Sequence, residues 1–496
     1  MAEIDGHSLS VNAVRNIAFL GQEVRTTKEA LQRLRKNRES LEKLLESGKT
    51  VYGVNTGFGS LYNVKVPQDK IGELQMNLIR SHASGVGEPL SREYVRAMMA
   101  IRANTFLYAH SAVSENLLQS LLDLINKGLV PYVPEIGSVG ASGDLAPLSH
   151  VALSLAGEGE FLKDGKRYRS AAVLKENGLA PYKFSYKEGV AFINGTAAIS
   201  GILAVEIARA CDLIKLSAIS AAISFSALRG NAAAYTKWAV ESRNHAGQAK
   251  ISRVMRELLA ESGEGARIQD PYSLRCIPQV HGAVLDTLEY ARNVLEIEMN
   301  SATDNPLVKD GEVISAGNFH GEPVAFACDF LAIALTDLGN ICERRTALLV
   351  DKNMSGLPAF LTRDSGLSSG YMIPQYVSAA LCNYNKTLAH PASVDTIPTS
   401  ANQEDHVSMG MTAALKLSRI VANLKKIIAI ELLLSIQAAE VAGVPLGNVL
   451  SRTVEIIRKE VPELKQDRPP YVDIEKICEL VSSDGFEKTV LEQIRI

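Results

Sequence analysis

Residues 134–150 read PEIGSVGASGDLAPLSH, and they are the most distinctive stretch of this 496-residue chain. Three glycines recur at every third position, the last of them Gly143, and glycine adopts backbone conformations that other residues avoid. The stretch therefore predicts a tight, strained turn. A plainer interpretation is a helix entry, in which Ser142 or Asp144 caps a helix formed by the apolar residues that follow.

The tripeptide Ala141-Ser142-Gly143 within this stretch also permits an unusual reaction. If the turn presses the Gly143 nitrogen onto the Ala141 carbonyl carbon, a five-membered ring can close with loss of water, because glycine has no side chain to obstruct the attack. Ser142 can then lose its hydroxyl group as a second water, which leaves a methylidene group conjugated to the ring. The product is an electrophile of a kind that no ordinary side chain supplies.

Bulk composition predicts a soluble globular protein of the cytoplasm. Its 52 basic and 55 acidic residues give a net charge of −3, which offers no basic surface for nucleic acid or for an anionic membrane. Six scattered cysteines lack CxxC spacing, so we expect neither a metal site nor a disulfide framework. The first ten residues, MAEIDGHSLS, show no secretory signal pattern.

Long helical patterns dominate the later part of the chain. Spans of about twenty to thirty residues rich in Ala, Leu and Ile predict a bundle of long, mostly buried helices. Earlier, Asp164-Gly165 predicts the turn of a small hairpin. We therefore expect a mainly α protein, with a smaller N-terminal globular part over residues 1–110 and a long-helix domain over residues 111–496. The predicted long helices cover residues 198–228, 280–300, 322–350 and 409–442.

The run GSVGASGDLAPLSH resembles the signature of the ammonia-lyases and aminomutases that carry a 4-methylidene-imidazol-5-one (MIO) group made from Ala-Ser-Gly. Further motifs extend the resemblance from about Tyr52 to about Met409. It implies that Ala141, Ser142 and Gly143 form this group as the catalytic electrophile, with no external cofactor. It also implies a homotetramer built from the helix bundles, in which loops from three chains form each active site.

Two loops carry further residues that the resemblance assigns to catalysis. VYGVNTGFGS, residues 51–60, reads by itself as a surface turn. A tyrosine can act as a base if a neighbouring cation or electrophile holds its phenol ionised, and the resemblance implies that Tyr52 removes the β-proton. Asn194 opens an NGT tripeptide and suits a helix cap, whereas the resemblance implies that it contacts the MIO carbonyl or the substrate.

The segment QDPYSLR places Gln269, Tyr272 and Arg275 at steps of three, which share one face on a turn of helix. Its proline and tyrosine are also typical of a surface loop with a solvated arginine. Arginine is the natural bidentate partner of a carboxylate. The resemblance implies that Arg275 holds the substrate's α-carboxylate, with Gln269 beside it and Tyr272 among the catalytic groups.

Four positions concern the substrate. His82 ends a helical pattern, where a histidine usually caps carbonyl groups, although an imidazole can also exchange a hydrogen bond with an imidazole substrate. Glu404 either favours the dipole of the following helix or binds an imidazolium or amino group. Both positions resemble histidine-specific members of the family, as does Met372 in SSGYMIPQ. Phe319 is either a core residue or the one that packs on the MIO ring or substrate.

The resemblance implies elimination of ammonia from L-histidine to give trans-urocanate, a step of histidine catabolism. Tyrosine or phenylalanine ammonia-lyases and aminomutases of the same family are alternatives, because some tyrosine aminomutases also show Ser-His at the position of Ser81-His82. A non-catalytic helical scaffold is the alternative outside enzymes. The sequence does not choose whether the electrophile engages the amino group or the imidazole ring of the substrate.

Overall fold

A computed structural model describes residues 1–46, 54, 56, 66–140, 143–261, 265, 267–364 and 366–496. In these residues helices form most of the chain, and strands occur only in four short two-stranded sheets. The predicted mainly α fold with long helices is confirmed. Three of the predicted site residues, Tyr52, Ala141 and Ser142, lie outside the described residues.

Four long helices follow the predicted spans to within three residues at each end: α9, α13, α14 and α17. The described α-helices in chain order are α1 (Val11–Phe19), α2 (Lys28–Glu46), α3 (Ile71–His82), α4 (Arg92–Leu107), α5 (Glu115–Asn126), α6 (Leu145–Leu155), α7 (Ser170–Glu176), α8 (Glu188–Ile193), α9 (Ala197–Ala227), α10 (Lys237–Glu241), α11 (Ala246–Leu258), α12 (Tyr272–Arg275), α13 (Ile277–Glu298), α14 (Glu322–Val350), α15 (Lys352–Ser355), α16 (Met372–Leu388), α17 (Gly410–Ala442), α18 (Asn448–Glu460), α19 (Pro470–Leu480) and α20 (Asp484–Thr489).

The described strands are short and pair two by two. β1 (Ala2–Ile4) runs parallel to β2 (Val24–Thr26). The antiparallel pairs are β3 (Val86–Pro89) with β4 (Pro134–Ile136), β5 (Glu160–Lys163) with β6 (Lys166–Arg169), and β7 (Leu307–Lys309) with β8 (Glu312–Ile314). Asp164 and Gly165 both have positive φ angles, 50° and 72°, as the tightest hairpin turns require. The predicted hairpin is therefore confirmed.

The chain forms two compact units. The first contains Met1–Ala208, Ala291–Asp329 and Pro391–Leu415, and the second contains Arg209–Tyr290, Phe330–His390 and Lys416–Ile496. Four of these boundaries fall inside the long helices α9, α13, α14 and α17. The domain boundary predicted between residues 110 and 111 lies inside the first unit, so the units and the predicted domains divide the chain at different places.

The long apolar helices are core elements. Nearly every residue of α9 is buried, and its Arg209, Asp212 and Lys215 occupy half-buried positions. Glu206 is fully buried and accepts a 2.5 Å hydrogen bond from the Tyr94 hydroxyl. Among the described helices, α14 alone is long and apolar enough to cross a membrane, and 67% of its most apolar window is buried, which is typical of a core helix.

A buried ion pair joins three long helices in the second unit. Arg345 of α14 and Glu431 of α17 have side chains that are 0% exposed. Arg345 donates through Nε to Glu431 Oε1 at 2.6 Å and through Nη2 to Oε2 at 2.9 Å. The hydroxyls of Ser220 and Ser224 in α9 donate to the same carboxylate, each at 2.9 Å. Buried charges are tolerated when they are paired and hydrogen-bonded in this way.

Candidate active site

The backbone of Gly143 is held against the NGT tripeptide. Gly143 has a φ of +73° and forms an isolated parallel bridge with Gly195, and the N–H of Asp144 donates to the Gly195 carbonyl at 2.6 Å. A Cβ on Gly143 would lie 2.5 Å from the Gly195 nitrogen and closer still to its carbonyl group. The site therefore accepts only glycine at position 143, both for space and for φ.

Asp144 connects this loop to the start of α9. The residue is fully buried, and its Oδ2 accepts hydrogen bonds at 2.8 Å from the N–H groups of Ala198 and Ile199. Oδ1 accepts from the Ser138 hydroxyl at 3.0 Å. Burial raises the pKa of Asp144 to about 7, and the hydrogen bonds and the Arg102 charge only partly oppose this effect.

The helix entry predicted for this stretch is present, with Asp144 at the N-cap position. A helix does begin at Leu145, directly after Asp144, but the Asp144 side chain makes no capping hydrogen bond to that helix. It caps α9 instead, because the bridge between Gly143 and Gly195 brings the N-terminus of α9 to this carboxylate.

The segment before α17 forms a second wall beside the loop. The N–H of Met409 donates to the Val139 carbonyl at 2.8 Å. Gly140 has a φ of +75°, and a Cβ on it would overlap the Ser408 hydroxyl. The described residues on either side of Ala141-Ser142 are therefore fixed, Val139 and Gly140 by the segment that follows Glu404 along the chain, and Gly143 by the NGT tripeptide.

Four buried charged groups lie next to this loop in the first unit. Arg102 of α4 donates to the carbonyl of Asn194 at 2.7 Å and also to that of Ala191. Lys187 Nζ donates to Asp304 Oδ2 at 2.5 Å, and both side chains are almost completely buried. Burial lowers the pKa of Arg102 to about 10, against the raising effect of Asp304 and Asp144. Together with Asp144, the cluster holds two cations and two carboxyl groups, of which Asp144 is only partly ionised near pH 7 because burial raises its pKa to about 7.

Sequence reasoning missed three of these residues, Arg102, Lys187 and Asp304. Arg102 interrupts the largely apolar run MMAIRANTFL, and a charge inside such a run is the signal that could have identified it. No local pattern marks Lys187 or Asp304, since they meet only in the folded chain, 117 positions apart in sequence.

His82 and Glu404 interact in the first unit. His82 is the last residue of α3, as predicted, and its Nδ1–H donates to the Leu78 carbonyl at 2.8 Å. Burial lowers the pKa of His82, while this hydrogen bond and the Glu404 charge raise it. The neutral ring therefore carries its lone pair on Nε2, which makes no hydrogen bond to a described residue. Glu404 Oε2 accepts from the Thr399 hydroxyl at 2.9 Å.

Two more predicted residues belong to the first unit. Asn194 is 5% exposed and follows α8, and its carbonyl accepts the Arg102 hydrogen bond described above. Phe319 is half-buried and precedes α14 by three positions. Phe319 has two predicted roles, core packing and packing on the MIO ring or substrate, and both stay predictions.

The remaining predicted residues lie in the second unit. The helical turn α12 spans only Tyr272–Arg275, and Gln269 lies before it. With its amide oriented to satisfy both groups, Gln269 accepts from Arg275 Nη1 at 2.7 Å and Nη2 at 2.9 Å. The Arg275 guanidinium lies 4.8 Å from the ring centroid of Tyr272, whose side chain is 71% exposed. Met372 begins α16 and is half-buried.

Comparison with known proteins identifies the family. The sequence profile described as aromatic amino acid lyase matches residues 9–460. The chain belongs to this family. The predicted enzyme class, a carbon–nitrogen lyase, is thereby confirmed, and a non-catalytic scaffold is not favoured.

Relatives of this lyase match over almost its whole length. A probable histidine ammonia-lyase of Thermoplasma acidophilum is 53% identical over 98% of this chain and 99% of its own. The crystal structure of histidine ammonia-lyase from Trypanosoma cruzi has a TM-score of 0.93 at 39% identity, covering 99% of this chain and 95% of that one. Tyrosine aminomutase from Streptomyces globisporus has a TM-score of 0.95 at 38% identity, covering 100% and 99%.

The residues of this lyase fit an MIO group at Gly143. Ring closure needs an unobstructed nitrogen at this position, and the structure excludes any side chain there. The positive φ and the contacts with Gly195 also hold the backbone in a turn at the end of the tripeptide. This steric fit is the structural observation that supports a group made from the chain itself.

Proposed function

We propose that this protein is a histidine ammonia-lyase, which eliminates ammonia from L-histidine to give trans-urocanate. The observation that carries the proposal is the 53% identity to a probable histidine ammonia-lyase over 98% of the chain. His82 and Glu404 support it, because these polar groups suit an imidazole ring and a phenyl ring would leave them without partners. Relatives that carry this activity in their names match over the full chain.

The electrophile of the proposal is an MIO group formed from Ala141, Ser142 and Gly143, which would supply an electron sink for the amino group or for the imidazole ring of the substrate. The chain's own residues then bind the substrate and move its protons. Tyr52 takes the proton from the β-carbon as general base, and Asn194 contacts the MIO carbonyl or the substrate.

His82 orients the substrate ring. Its Nδ1–H is engaged with the Leu78 carbonyl, so Nε2 accepts a hydrogen bond from an imidazole N–H of the substrate. Because burial lowers its pKa below the usual 6.5, the His82 ring stays neutral at pH values where an ordinary histidine is already protonated. Nε2 therefore remains available as a hydrogen-bond acceptor. Glu404 binds the other imidazole nitrogen or the amino group by a charge-assisted hydrogen bond.

Arg275 holds the α-carboxylate of the substrate through its planar guanidinium group. Gln269 positions that guanidinium by accepting from both terminal nitrogens, and Tyr272 lies beside it. Phe319 and Met372 contribute apolar contacts. The active enzyme is a cytoplasmic homotetramer in which different chains supply these groups to one site.

The first test compares L-histidine, L-tyrosine and L-phenylalanine as substrates of the purified protein. Near-ultraviolet absorbance of the conjugated acrylate and release of ammonia report turnover, and we expect turnover of histidine alone. Turnover of tyrosine, with or without a β-amino acid product, would instead support the tyrosine lyase or aminomutase that the similarity to the aminomutase structure keeps as second candidate.

Glu404→Gln tests the specificity argument within the chain. Loss of a charge-assisted hydrogen bond predicts a fall in kcat/KM for histidine of roughly ten- to a hundredfold. Asp405→Asn, an exposed neighbour in the same loop, is the matched control and should retain wild-type kinetics. Equal kinetics for Glu404→Gln and wild type would contradict the assignment.

A further inference from the structure

Three side chains from two segments meet near the start of α14. His320 Nδ1 lies 3.8 Å from Glu322 Oε2, and His406 Nε2 lies 3.9 Å from the same oxygen. Among the described residues, this is the one group of three or more His, Cys, Asp or Glu side chains whose ligand atoms all lie within 4.8 Å of one another. The expectation of no metal rested on cysteine spacing, which does not bear on a site of this composition.

The tautomer of His320 is set by the backbone. Its Nε2 lies 3.3 Å from the carbonyl oxygen of His406, and because a carbonyl only accepts, Nε2 carries the proton. Nδ1 therefore presents its lone pair towards Glu322. A histidine that donates one ring N–H to a backbone carbonyl while the other nitrogen faces a shared centre has the usual arrangement of a metal ligand. The two imidazole rings stack with centroids 5.7 Å apart and an angle of 8°.

The Glu322 carboxylate supplies the third donor. Its Oε2 atom is shielded from solvent and accepts no hydrogen bond from a described residue. Both imidazole nitrogens stand too far from this oxygen for a hydrogen bond. All three donor atoms lie within 4.8 Å of one another. A tetrahedral ion with ligands at 2.0–2.2 Å holds its donor atoms roughly 3.3–3.6 Å apart, so the side chains must draw together by up to about 1.5 Å to complete the coordination.

We propose that His320, Glu322 and His406 bind one divalent transition-metal ion of the zinc type. Two imidazoles and one carboxylate suit such an ion, whereas calcium and magnesium prefer sites made of oxygen alone. The His406 side chain is 68% exposed, so solvent fills the remaining coordination position. The ion ties the loop before α17 to the segment that leads into α14.

The proposal is tested by titrating chelator-treated full-length protein with Co²⁺, and then with Zn²⁺ in competition. We expect one Co²⁺ per chain, with the visible absorption bands of a four- or five-coordinate ion, and displacement by Zn²⁺. His406→Gln and Glu322→Gln should each weaken binding by more than the roughly 10–100-fold that loss of an outer-shell partner causes. His245→Gln changes an exposed histidine of the second unit and should bind as wild type.

Binding also has a readout that needs no substrate. An ion that binds only the folded chain raises its Tm, and the rise should disappear in His406→Gln. Circular dichroism of the unliganded variants establishes that they are folded. The proposal is overturned if wild type shows no saturable binding of one ion per chain, or if folded His406→Gln and Glu322→Gln bind Co²⁺ as tightly as wild type does.

Discussion

At Gly143 the lack of a side chain is a steric requirement as well as a chemical one. The same atom that must approach the Ala141 carbonyl for ring closure belongs to a residue whose Cβ would overlap Gly195. The requirement for glycine therefore has two independent causes, of which the sequence indicated one and the fold added the other.

Gly143→Ala, compared with a control glycine of similar φ, separates steric overlap at Gly143 from the backbone strain of a positive φ. The added methyl group overlaps the Gly195 backbone, so we expect the loop to remain unmodified, with an intact mass equal to that of the sequence instead of two waters lighter, and activity to be lost. Gly165→Ala is the matched control, because Gly165 has nearly the same φ, +72°, but no atoms within 4 Å of the added Cβ. Normal loop maturation in Gly143→Ala would contradict the steric argument.

Asp144 is a second single residue with a testable effect, because its titration makes the stability of the folded chain depend on pH. Its pKa of about 7 in the folded chain exceeds the ordinary value of 3.8, so the folded chain binds this proton more tightly than the unfolded chain does. Its contribution to stability is therefore full below about pH 4 and is lost as the pH rises towards 7. We expect the Tm of wild type to fall relative to that of Asp144→Asn over this range. Parallel Tm profiles for the two proteins would exclude this titration.

At the scale of elements, the long helices are fixed by buried polar contacts as well as by apolar packing. Arg345 and Glu431 join α14 to α17, and two serines of α9 complete the hydrogen bonds of the carboxylate. Apolar side chains permit several ways of packing one helix on another, whereas this cluster is satisfied at only one register.

Glu431→Gln measures how much this buried cluster contributes to the free energy of unfolding. The substitution leaves the buried Arg345 cation without its charge partner, and we expect a loss of about 3–5 kcal/mol in the free energy of unfolding. Glu455→Gln breaks an exposed pair with Arg452 and should cost less than about 1 kcal/mol. Chemical denaturation compares the two variants, and equal losses would show that burial does not matter here.

At the scale of the whole molecule, the proposed site residues divide between two compact units. His82 and Glu404 belong to the first unit, and Arg275 with Gln269 and Tyr272 belongs to the second. If different chains of a homotetramer supply these groups to one active site, two inactive variants can complement each other.

Mixed tetramers of His82→Ala and Arg275→Met test this assembly. Each variant alone should be nearly inactive, while co-expressed chains that assort at random should regain up to about one quarter of the wild-type sites. Size-exclusion chromatography with light scattering checks for four chains per particle. Mixed particles without regained activity would mean that one chain supplies both residues to each site.

The sequence by itself determined the helices, the family and the identity of the chemical groups. Apolar periodicity is a local property, so the predicted spans of α9, α13, α14 and α17 agree closely with the structure. The hairpin turn at Asp164-Gly165 follows from local chemistry in the same way. The residues of the motif around Gly143 are contiguous, so the family was recognised from the sequence alone.

Only the tertiary structure decided which distant groups meet. Asp144 caps α9 instead of its own helix, and Lys187 pairs with Asp304, because the fold brings together segments far apart in sequence. His320 and His406, separated by 86 positions, come into contact for the same reason. Side-chain chemistry states what a residue is able to bind, but the identity of its partner depends on long-range packing, which local sequence does not encode.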